Sequence, residues 1–390
     1  MRVLICHVHY RFAGGEDAVF GTEIGILREA GVHVDTLELR SADLGSIPLS
    51  RRVGMAFGYR DHSWGRETIA AAIDRTRPDV AHFHNIYPQL GPGAISEAHR
   101  RGCATVQTLH NYRLSCLAGT HLRDGAICEL CTPGRYGPGL RYGCYRGSRL
   151  QSFLVRRATA QQWKAFVHEG KPLYWLALTE FMRDYFVSQG APLERVVLKA
   201  NSVAAGRPAA QAARAGVFCG GRLSPEKGIV PLMQAWPDDA PMLTVAGTGP
   251  LEEAVRASTK ANVRYVGVLD HEDMLTAVRT ALVVAMPSVW PEPLPLVALE
   301  AFAEGTPVVA FEGWSLGSVV QALSRDCVVP FHDFAGLARR VVDLMDAPFW
   351  PQLSRRCLEL WQSSYSPPVN RDALLSVYQA AQSMRRSMPA

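Results

Sequence analysis

Short apolar runs alternate along the chain with helical patterns and with loops rich in glycine. The first run, Arg2 to His9, leads through Gly14 and Gly15 into an apolar pattern of helical period, and a second strand follows at 32–39. Short runs that are almost wholly apolar are typical of parallel strands buried on both faces. The opening therefore predicts a β–loop–α–β unit, which is how a doubly wound sheet begins.

The same alternation starts again in the second half, which predicts an α/β protein with two Rossmann-like domains. Residues 204–215 show no core pattern and predict a linker, so we expect domains at 1–203 and 204–365. A last helix is predicted at about 371–384, within a C-terminal segment at 366–390. The other predicted strands are Asp79–Phe83, Cys103–Leu109, Pro172–Leu178, Val196–Leu198, Gly216–Cys219, Met242–Ala246, Val263–Val266, Ala281–Met286, Pro307–Phe311 and Cys327–Pro330.

Composition narrows the classes of protein that fit. The length of 390 residues suits two domains, and 48% apolar residues supply their cores. A net charge of +5 does not indicate a nucleic-acid partner, and no apolar run reaches the roughly 18 residues of a membrane span. The N-terminal run is too short for a signal peptide. Nine cysteines without a secretory signal favour a reducing compartment, so we expect a cytoplasmic protein.

The stretch from Pro287 to Gly305 carries two acids around a predicted helix start. Proline suits the first helical position and glycine a helix end, so we expect a helix at 295–304. Glu292 then precedes the helix and Glu300 lies inside it. The free N–H groups of a helix start suit a diphosphate, and an acid on either side can take the hydroxyls of the two groups that a diphosphate joins. An amphipathic helix with two solvated acids remains the alternative.

A second pattern that suits phosphate lies after the first predicted strand of the second half, at 220–228 (GGRLSPEKG). Glycines allow close backbone approach, while Ser224 and Pro225 are typical of a helix start. Arg222 and Lys227 bring two cations to this turn, where arginine matches phosphate oxygens bidentately and lysine adds a point charge. A capped surface helix would leave the glycine pair and the spacing of the two cations unexplained.

Both segments resemble motifs of the retaining glycosyltransferases of family 4, whose two-Rossmann-domain architecture is called GT-B. Residues 292–301 (EPLPLVALEA) are similar to the E-x7-E signature, and residues 221–228 to the motif G-R-L-x-x-E-K-G. One position departs, because the family commonly has glycine where Pro295 stands. The resemblance implies two domains facing a central cleft, a terminal helix that returns to the first domain, and transfer of a hexosyl group from a nucleotide diphosphate sugar to an acceptor hydroxyl with retention of configuration.

The resemblance also implies roles for single residues. Glu292 would contact the donor sugar and Glu300 the ribose. Arg222, Lys227 and the amides at the helix start would neutralise the leaving diphosphate, so catalysis requires no metal, and the chain lacks a D-x-D motif to hold one. The other donor-binding residues that we expect are Gly14, Gly15, Gly221, Gly247, Gly249, Gly267, Val268, Pro293, Leu294, Leu296 and Val297.

Histidines stand at the ends of two predicted strands of the first half, where parallel sheets border their ligand crevice. His110 resembles the family histidine that contacts the donor sugar and is expected to be catalytic with Glu292, Arg222 and Lys227. His82 and His84 lack obvious further metal ligands in the sequence, so we interpret them as crevice wall. The residues expected to bind the acceptor are Glu16, His84, Asn85, Asn111 and Arg113.

An insertion at 113–150, rich in glycine and arginine, carries Cys116, Cys128, Cys131 and Cys144. Four thiolates suit a closed tetrahedral zinc site, and a metal can fold a segment that has no apolar core of its own. Four free thiols, or two disulfides in an oxidising compartment, remain open. We favour a structural zinc as the one cofactor.

Basic and aromatic residues alternate between Leu130 and His168 without an acid. A solvated basic face explains this segment, and the sharper hypothesis is a lipid-linked diphosphate acceptor or an anionic membrane, which would place the protein at the inner face of the plasma membrane. We therefore predict a glycosyltransferase that uses a UDP- or GDP-sugar to build a bacterial surface glycan, a glycolipid or a natural product. The rivals are a phosphorylase or sugar-nucleotide epimerase on the same frame and a non-catalytic sugar or lipid-phosphate binding protein.

Overall fold

The computed structural model describes residues 1–10, 14–46, 63–206 and 213–387. Residues 207–212, in the middle of the predicted linker, lie outside the described residues. The chain divides into two compact units, of which the first contains Met1–His121, Cys128–Ala200 and Asn370–Ala390. The second contains Leu122–Ile127 and Asn201–Val369. No helix among the described residues is both long enough and apolar enough to cross a bilayer.

Strands and helices alternate through both units, as the hydrophobic pattern predicts. In chain order the described strands are β1 (Arg2–His9), β2 (His33–Arg40), β3 (Val80–Phe83), β4 (Ala104–Leu109), β5 (Leu122–Arg123), β6 (Ala126–Ile127), β7 (Tyr174–Ala177), β8 (Val196–Leu198), β9 (Val217–Gly220), β10 (Leu243–Ala246), β11 (Val263–Tyr265), β12 (Val283–Met286), β13 (Val308–Phe311) and β14 (Val328–Val329). The described helices are α1 (Gly15–Glu29), α2 (Ser63–Thr76), α3 (Gly91–Arg100), α4 (Gly137–Arg141), α5 (Arg149–Trp163), α6 (Glu180–Ser188), α7 (Ile229–Ala235), α8 (Glu252–Arg256), α9 (His271–Thr280), α10 (Leu296–Ala303), α11 (Trp314–Leu323), α12 (Phe334–Met345), α13 (Trp350–Leu360) and α14 (Pro367–Arg386).

The first unit is built on a parallel sheet with the order β2-β1-β3-β4-β7-β8. Alternate residues of β1 belong to separate apolar clusters on the two faces, Leu4 and Cys6 to one and Val3 and Ile5 to the other. A strand that is buried on both faces must be apolar on both, which is why the sequence of β1 is an almost continuous apolar run.

The C-terminal helix α14 packs in the first unit, where Leu374, Val377 and Tyr378 join the cluster that contains Val3 and Ile5. This confirms the predicted return of the chain to its first half. The predicted start near residue 371 was wrong, because the helix begins at Pro367. The first amides of a helix have no intrahelical acceptor, so proline is tolerated there.

The second unit has a parallel sheet with the order β11-β10-β9-β12-β13-β14. The order reverses between β9 and β12, which are hydrogen-bonded neighbours although many residues of chain separate them. In open α/β sheets ligands bind outside the carboxyl ends of the strands at this point of reversal. The fold therefore selects the loops after β9 and β12 as the candidate ligand site of this unit.

The cysteine-rich insertion has a small apolar core, which the sequence analysis did not expect. Leu117, Cys131, Tyr136 and Val155 form a buried cluster. The Tyr136 hydroxyl donates a hydrogen bond to the carbonyl oxygen of Leu114 at 2.5 Å. The premise that this segment lacks an apolar core of its own was therefore wrong, because Leu117, Cys131 and Tyr136 pack against Val155 of α5.

We expect Gly247→Ala to lower the free energy of unfolding by about 2 kcal/mol or more. A Cβ at Gly247, whose φ is +134°, would lie 1.8 Å from the carbonyl oxygen of Gly221, so the two loops would have to separate. Gly21→Ala is the control, because a Cβ there, in the helix α1, meets nothing within 4 Å. It should raise the free energy of unfolding by about 0.5–1 kcal/mol. Urea unfolding of the three proteins measures both changes, and a Gly247→Ala protein as stable as the wild type would contradict the close contact.

Candidate functional site

The loop after β9 carries the glycine motif of the second unit. Ser224 caps a single 3-10 turn, Pro225–Lys227, and Gly228 ends that turn with a φ of +65°. A Cβ at Gly228 would lie 2.0 Å from the carbonyl oxygen of Pro287, so only glycine lets this loop approach the loop after β12 so closely. The two motifs that the sequence analysis singled out therefore lie in contact with each other.

Lys227 and Glu292 form an ion pair across these two loops. The second oxygen of Glu292, Oε2, accepts a hydrogen bond from the Ser288 hydroxyl at 2.6 Å, and the residue is 5% exposed. The Lys227 ammonium also lies 5.9 Å from the centroid of the Trp290 ring. The acid expected to bind the sugar and the lysine expected to bind the diphosphate thus neutralise each other in the structure.

Arg222 and the start of α10 supply the other donors for an anion. The Arg222 side chain is exposed and makes no hydrogen bond or ion pair within the residues that the structure describes. The helix α10 begins at Leu296 with Pro295 as its N-cap, so the predicted start at Pro295 was one residue early. Pro295 has an extended ψ of 134°, and the Leu296 and Val297 amides occupy the first turn, where amides lack intrahelical acceptors.

Glu300 lies on the second turn of α10 and is 6% exposed. Burial raises the pKa of its carboxyl group. Nδ1 of His271, at the start of α9, lies 3.7 Å from Glu300 Oε1. The sequence analysis missed His271, because a helix-start histidine on another element carries no local signal of this contact.

The remaining donor-site glycines lie in loops that hydrogen-bond to one another. The Gly247 amide donates to the carbonyl oxygen of Gly267 at 2.8 Å, and the Leu223 amide to that of Thr248 at 2.9 Å. Val268 is 67% exposed. Pro293 and Leu294 are buried, and the Leu294 carbonyl oxygen accepts from the Asn201 side chain at 3.2 Å. All these loops follow the carboxyl ends of strands of the second sheet.

The first unit has its own recess at the ends of β3 and β4. It brings together all five residues that the sequence analysis expected to bind the acceptor, together with His110. Its lining residues are Glu16, His84, Asn85, Ile86, Tyr87, Gln107, Thr108, Leu109, His110, Asn111, Arg113, Leu114 and Gln162.

Glu16 and Arg113 present buried polar atoms to this recess. Oε1 of Glu16 accepts from Asn111 Nδ2 at 3.1 Å, whereas Oε2 is buried without a hydrogen-bond partner. Burial raises the pKa of Glu16 to about 7, against the opposing effect of the Arg113 guanidinium. Arg113 Nη1 is likewise buried without a partner, and its guanidinium lies over the rings of Tyr87 and Tyr145 at 5.6 and 5.2 Å. Buried polar atoms without a partner are costly, so they point to a ligand.

Asn85 lines the recess but its amide serves the backbone. Nδ2 donates to the carbonyl oxygen of Val8 at 2.7 Å, and Oδ1 accepts from the Tyr87 amide at 3.0 Å.

Gly14 caps α1, and its amide donates to Asp17 at 2.8 Å. Asp17 in turn contacts His7 at 2.9 Å and His9 at 2.6 Å. Asp17 was missed, because only the fold places a first-turn acid beside the end of β1.

The histidines at the strand ends form a deeper network than the sequence predicted. His84 Nδ1 lies 2.9 Å from His110 Nε2, and His84 Nε2 lies 3.4 Å from Oε2 of Glu23. Glu23 is also ion-paired with Lys199, and both side chains are buried. Glu23 and Lys199 were missed, although an acid at an apolar position of α1 and a lysine directly after β8 were visible signals.

Two groups of residues have metal-ligand geometry, His7 with His9 and Asp17, and Glu23 with His82 and His84. In the second group both nitrogens of His82 are engaged, by the hydroxyls of Tyr378 and Thr108, each at 2.8 Å. The ammonium of Lys199 already supplies the positive charge beside Glu23. These partners favour the interpretation of His82 and His84 as wall residues that hydrogen-bond inside the fold.

The four cysteines of the insertion lie near one another, since Cys116, Cys144 and Cys128 all interact electrostatically with Cys131. Within the described residues, no cysteine belongs to a group whose ligand atoms all lie within 4.8 Å of one another. All nine cysteines are free thiols, and burial raises the pKa of Cys131 to about 11. The disulfide alternative is therefore not what this structure contains, and the zinc site stays a prediction.

Residues 214–347 match the family described as glycosyl transferases group 1. Among curated relatives, a glycogen synthase from Mycobacterium tuberculosis is 33% identical over 172 residues, 41% of each chain, so the match spans less than half of that relative. A 2-deoxystreptamine N-acetyl-D-glucosaminyltransferase from Streptomyces fradiae is 29% identical over 297 residues, which is 71% of this chain and 65% of the other.

Solved structures resemble the chain over nearly its whole length. Sucrose-phosphate synthase from Thermosynechococcus elongatus aligns over 98% of this chain and 99% of its own with a TM-score of 0.70 and 17% identity. Anabaena HepE in complex with UDP-glucose aligns over 97% and 100% with a TM-score of 0.62 and 14% identity. These likenesses concern the fold. The chain thus has two Rossmann-like units with the GT-B fold, and residues 214–347 of its second unit are similar to the glycosyl transferases group 1 family.

Proposed function

We propose that this chain is a retaining glycosyltransferase that moves a hexosyl group from a nucleoside diphosphate sugar to an acceptor hydroxyl. The observation that carries the proposal is that Arg222, Lys227 and the first amides of α10 all lie in the loops that follow β9 and β12, at the strand reversal of the second sheet. These are all positive groups, and the family match covers the same residues. Retention, and membership of family 4, rest on the E-x7-E resemblance.

The diphosphate is the leaving group, so negative charge develops on its β-phosphate as the glycosidic bond breaks. Fixed cations and amides aimed at that charge lower the barrier without reorganisation. Arg222 offers a fork of donors, and Lys227 has three N–H donors, so it can keep one on Glu292 while it binds phosphate. Glu292, which Lys227 and Ser288 hold in place, accepts hydrogen bonds from the donor sugar.

Glu300 binds the ribose hydroxyls of the nucleotide, and the loop at Gly267 and Val268 lies beside the base. UDP is the first nucleotide to test, because Anabaena HepE has been solved with UDP-glucose. GDP is the second, because the matched relatives include a GDP-mannose-dependent mannosyltransferase from Corynebacterium glutamicum. A lipid-linked acceptor and contact with an anionic membrane belong to this proposal only as predictions from the basic segment before His168.

The acceptor occupies the recess of the first unit. Oε2 of Glu16 accepts a hydrogen bond from a hydroxyl of the acceptor, and Nη1 of Arg113 donates one to an oxygen of the acceptor. Both atoms are buried there without partners. His110 contacts a sugar hydroxyl from the same wall. A non-catalytic binding protein on this frame would bind donor without turnover, and an epimerase would convert the sugar without releasing the nucleoside diphosphate.

A nucleotide sugar that binds as the donor should raise the melting temperature of the protein. At a ligand concentration 100 times the Kd, binding to the folded state contributes about 2.7 kcal/mol. Thermal shift with UDP- and GDP-sugars, followed by a coupled assay for released UDP or GDP over a panel of acceptors, measures binding and turnover. Sugar inversion without nucleotide release would indicate an epimerase, and binding without any release would indicate a non-catalytic protein.

Lys227→Ala should lower kcat by about 10² to 10³, because one donor to the leaving diphosphate is lost. Arg355→Ala is the matched loss of a positive charge on an exposed face of the same unit and should leave kcat unchanged. The Lys227→Ala/Glu292→Gln protein tests the stability effect alone, since it removes the unpaired buried acid and should recover the melting temperature. A Lys227→Ala rate within a few-fold of the wild type would refute the role.

Glu16→Gln should stabilise the protein at pH 8 and leave its stability unchanged at pH 5. The folded pKa of Glu16, about 7, lies above the value of 4.5 for a free side chain, so folding favours the protonated form. The stability that this group contributes is complete below pH 4.5 and is lost as the pH rises through 7. The difference at pH 8 should be about 3 kcal/mol, or several degrees in Tm.

Glu29→Gln, on an exposed face of the same helix, is the control for this comparison and should show no difference between pH 5 and pH 8. If Glu16→Gln and wild type melt alike at both pH values, the Glu16 carboxyl is not buried. The same variant should lose affinity for the acceptor, seen as a higher KM for the acceptor with an unchanged KM for the donor.

A further inference from the structure

A chain of four polar side chains runs behind the recess of the first unit. It begins at Lys199 after β8, passes through Glu23 on α1 and His84 after β3, and ends at His110 after β4. Lys199, Glu23 and His84 are 1%, 0% and 2% exposed, whereas His110 is half-buried and lines the recess. The chain therefore connects a buried ion pair to a residue that ligands can reach.

The hydrogens along this chain have one consistent direction. Oε1 of Glu23 pairs with Lys199, and Oε2 lies 3.4 Å from His84 Nε2. Both of these last two atoms are buried and form no shorter polar contact among the described residues. A carboxylate only accepts, so a neutral His84 ring carries its proton on Nε2 and presents Nδ1 as an acceptor.

The same reasoning places the hydrogen on the His110 ring. The unprotonated Nδ1 of His84 accepts at 2.9 Å from Nε2 of His110, so Nε2 of His110 carries the hydrogen. The remaining ring nitrogen, Nδ1, keeps its lone pair. Desolvation holds the pKa of His110 well below its usual range, so the ring stays neutral and Nδ1 stays an acceptor.

Burying the Lys199–Glu23 ion pair costs free energy of desolvation. An apolar pair of similar volume would therefore often make the fold equally stable. Glu23 keeps its negative charge there: burial alone would raise its pKa, but the ammonium of Lys199 holds the pKa well below the usual range. The charged Glu23 carboxylate is therefore always available as a hydrogen-bond acceptor for His84 Nε2. A neutral side chain at position 23 would not fix the orientation of the His84 ring.

We propose that Glu23 and His84 are positioning residues that fix the ring tautomer of His110, so that its Nδ1 accepts a hydrogen bond from a sugar hydroxyl in the recess. The inference rests on the proposed function for the identity of that hydroxyl, but not for the tautomer itself. In the opposite tautomer an N–H would face the hydroxyl where a lone pair is needed. Lys199 supports the arrangement by keeping Glu23 charged.

Two substitutions of His84 separate its two nitrogens. His84→Asn keeps an acceptor close to the position of Nδ1, and His84→Gln keeps a polar group close to the position of Nε2. We expect His84→Gln to lower kcat by about 10- to 100-fold with little change in KM, as when a supporting hydrogen bond is removed. We expect His84→Asn to be about 10-fold more active than His84→Gln, and equal losses in the two variants would overturn the role of Nδ1.

The Glu23→Met/Lys199→Met protein tests the far end of the chain without leaving a charge buried alone. Nitrogen-15 NMR of histidine-labelled protein, with the His110 signals assigned from His110→Gln, reports the tautomer directly. We expect wild-type His110 to be protonated on Nε2, and the double variant to show protonation on Nδ1 as well, together with a kcat at least about 10-fold lower. Protonation of wild-type His110 on Nδ1, or an unchanged tautomer in the double variant, would overturn the proposal.

A changed tautomer with an unchanged kcat would overturn the functional part of the inference, because His110 would then not depend on the hydrogen position. If the wild-type protein turns over no donor, the proposed function fails, and the NMR result still decides whether Glu23 and His84 set the tautomer.

Discussion

The reversal of strand order between β9 and β12 is the constraint on which the proposed donor site depends. Two loops distant in sequence leave the sheet side by side there, and both follow carboxyl ends of strands. Gly228 allows the backbone of one loop to touch that of the other at Pro287. That contact is what brings Lys227 against Glu292, so the electrostatics of the site follow from a steric requirement of the backbone.

The first unit handles its buried polar groups in two different ways. From Lys199 to His110 each side chain contacts the next one inside the fold, although the contact between Glu23 Oε2 and His84 Nε2, at 3.4 Å, is not a hydrogen bond. In the recess, Glu16 Oε2 and Arg113 Nη1 have none. Because an unpaired buried polar atom costs free energy, the first arrangement is typical of a structural support and the second of a surface built for a ligand.

The strands could be predicted because burial on both faces forces a continuous apolar run, and the two phosphate motifs because glycine, proline and cations each have a local reason to stand there. Helix ends were less accurate: α10 begins one residue after Pro295, and α14 begins at Pro367, which the pattern treated as a break. Proline is tolerated both at the N-cap and in the first turn of a helix, so a proline in the sequence does not by itself place the helix boundary.

The sequence by itself determined the alternation of strands and helices, the two loops that carry glycines and cations, and the resemblance that names the reaction class. It could not pair Glu23 with Lys199, place His271 beside Glu300 or give the cysteine-rich insertion an apolar core. Those contacts join residues far apart in the chain, and their energy depends on distance and burial, which no local pattern contains. Only the tertiary structure sets those two quantities, and so it alone decided which polar groups support the fold and which are left for a ligand.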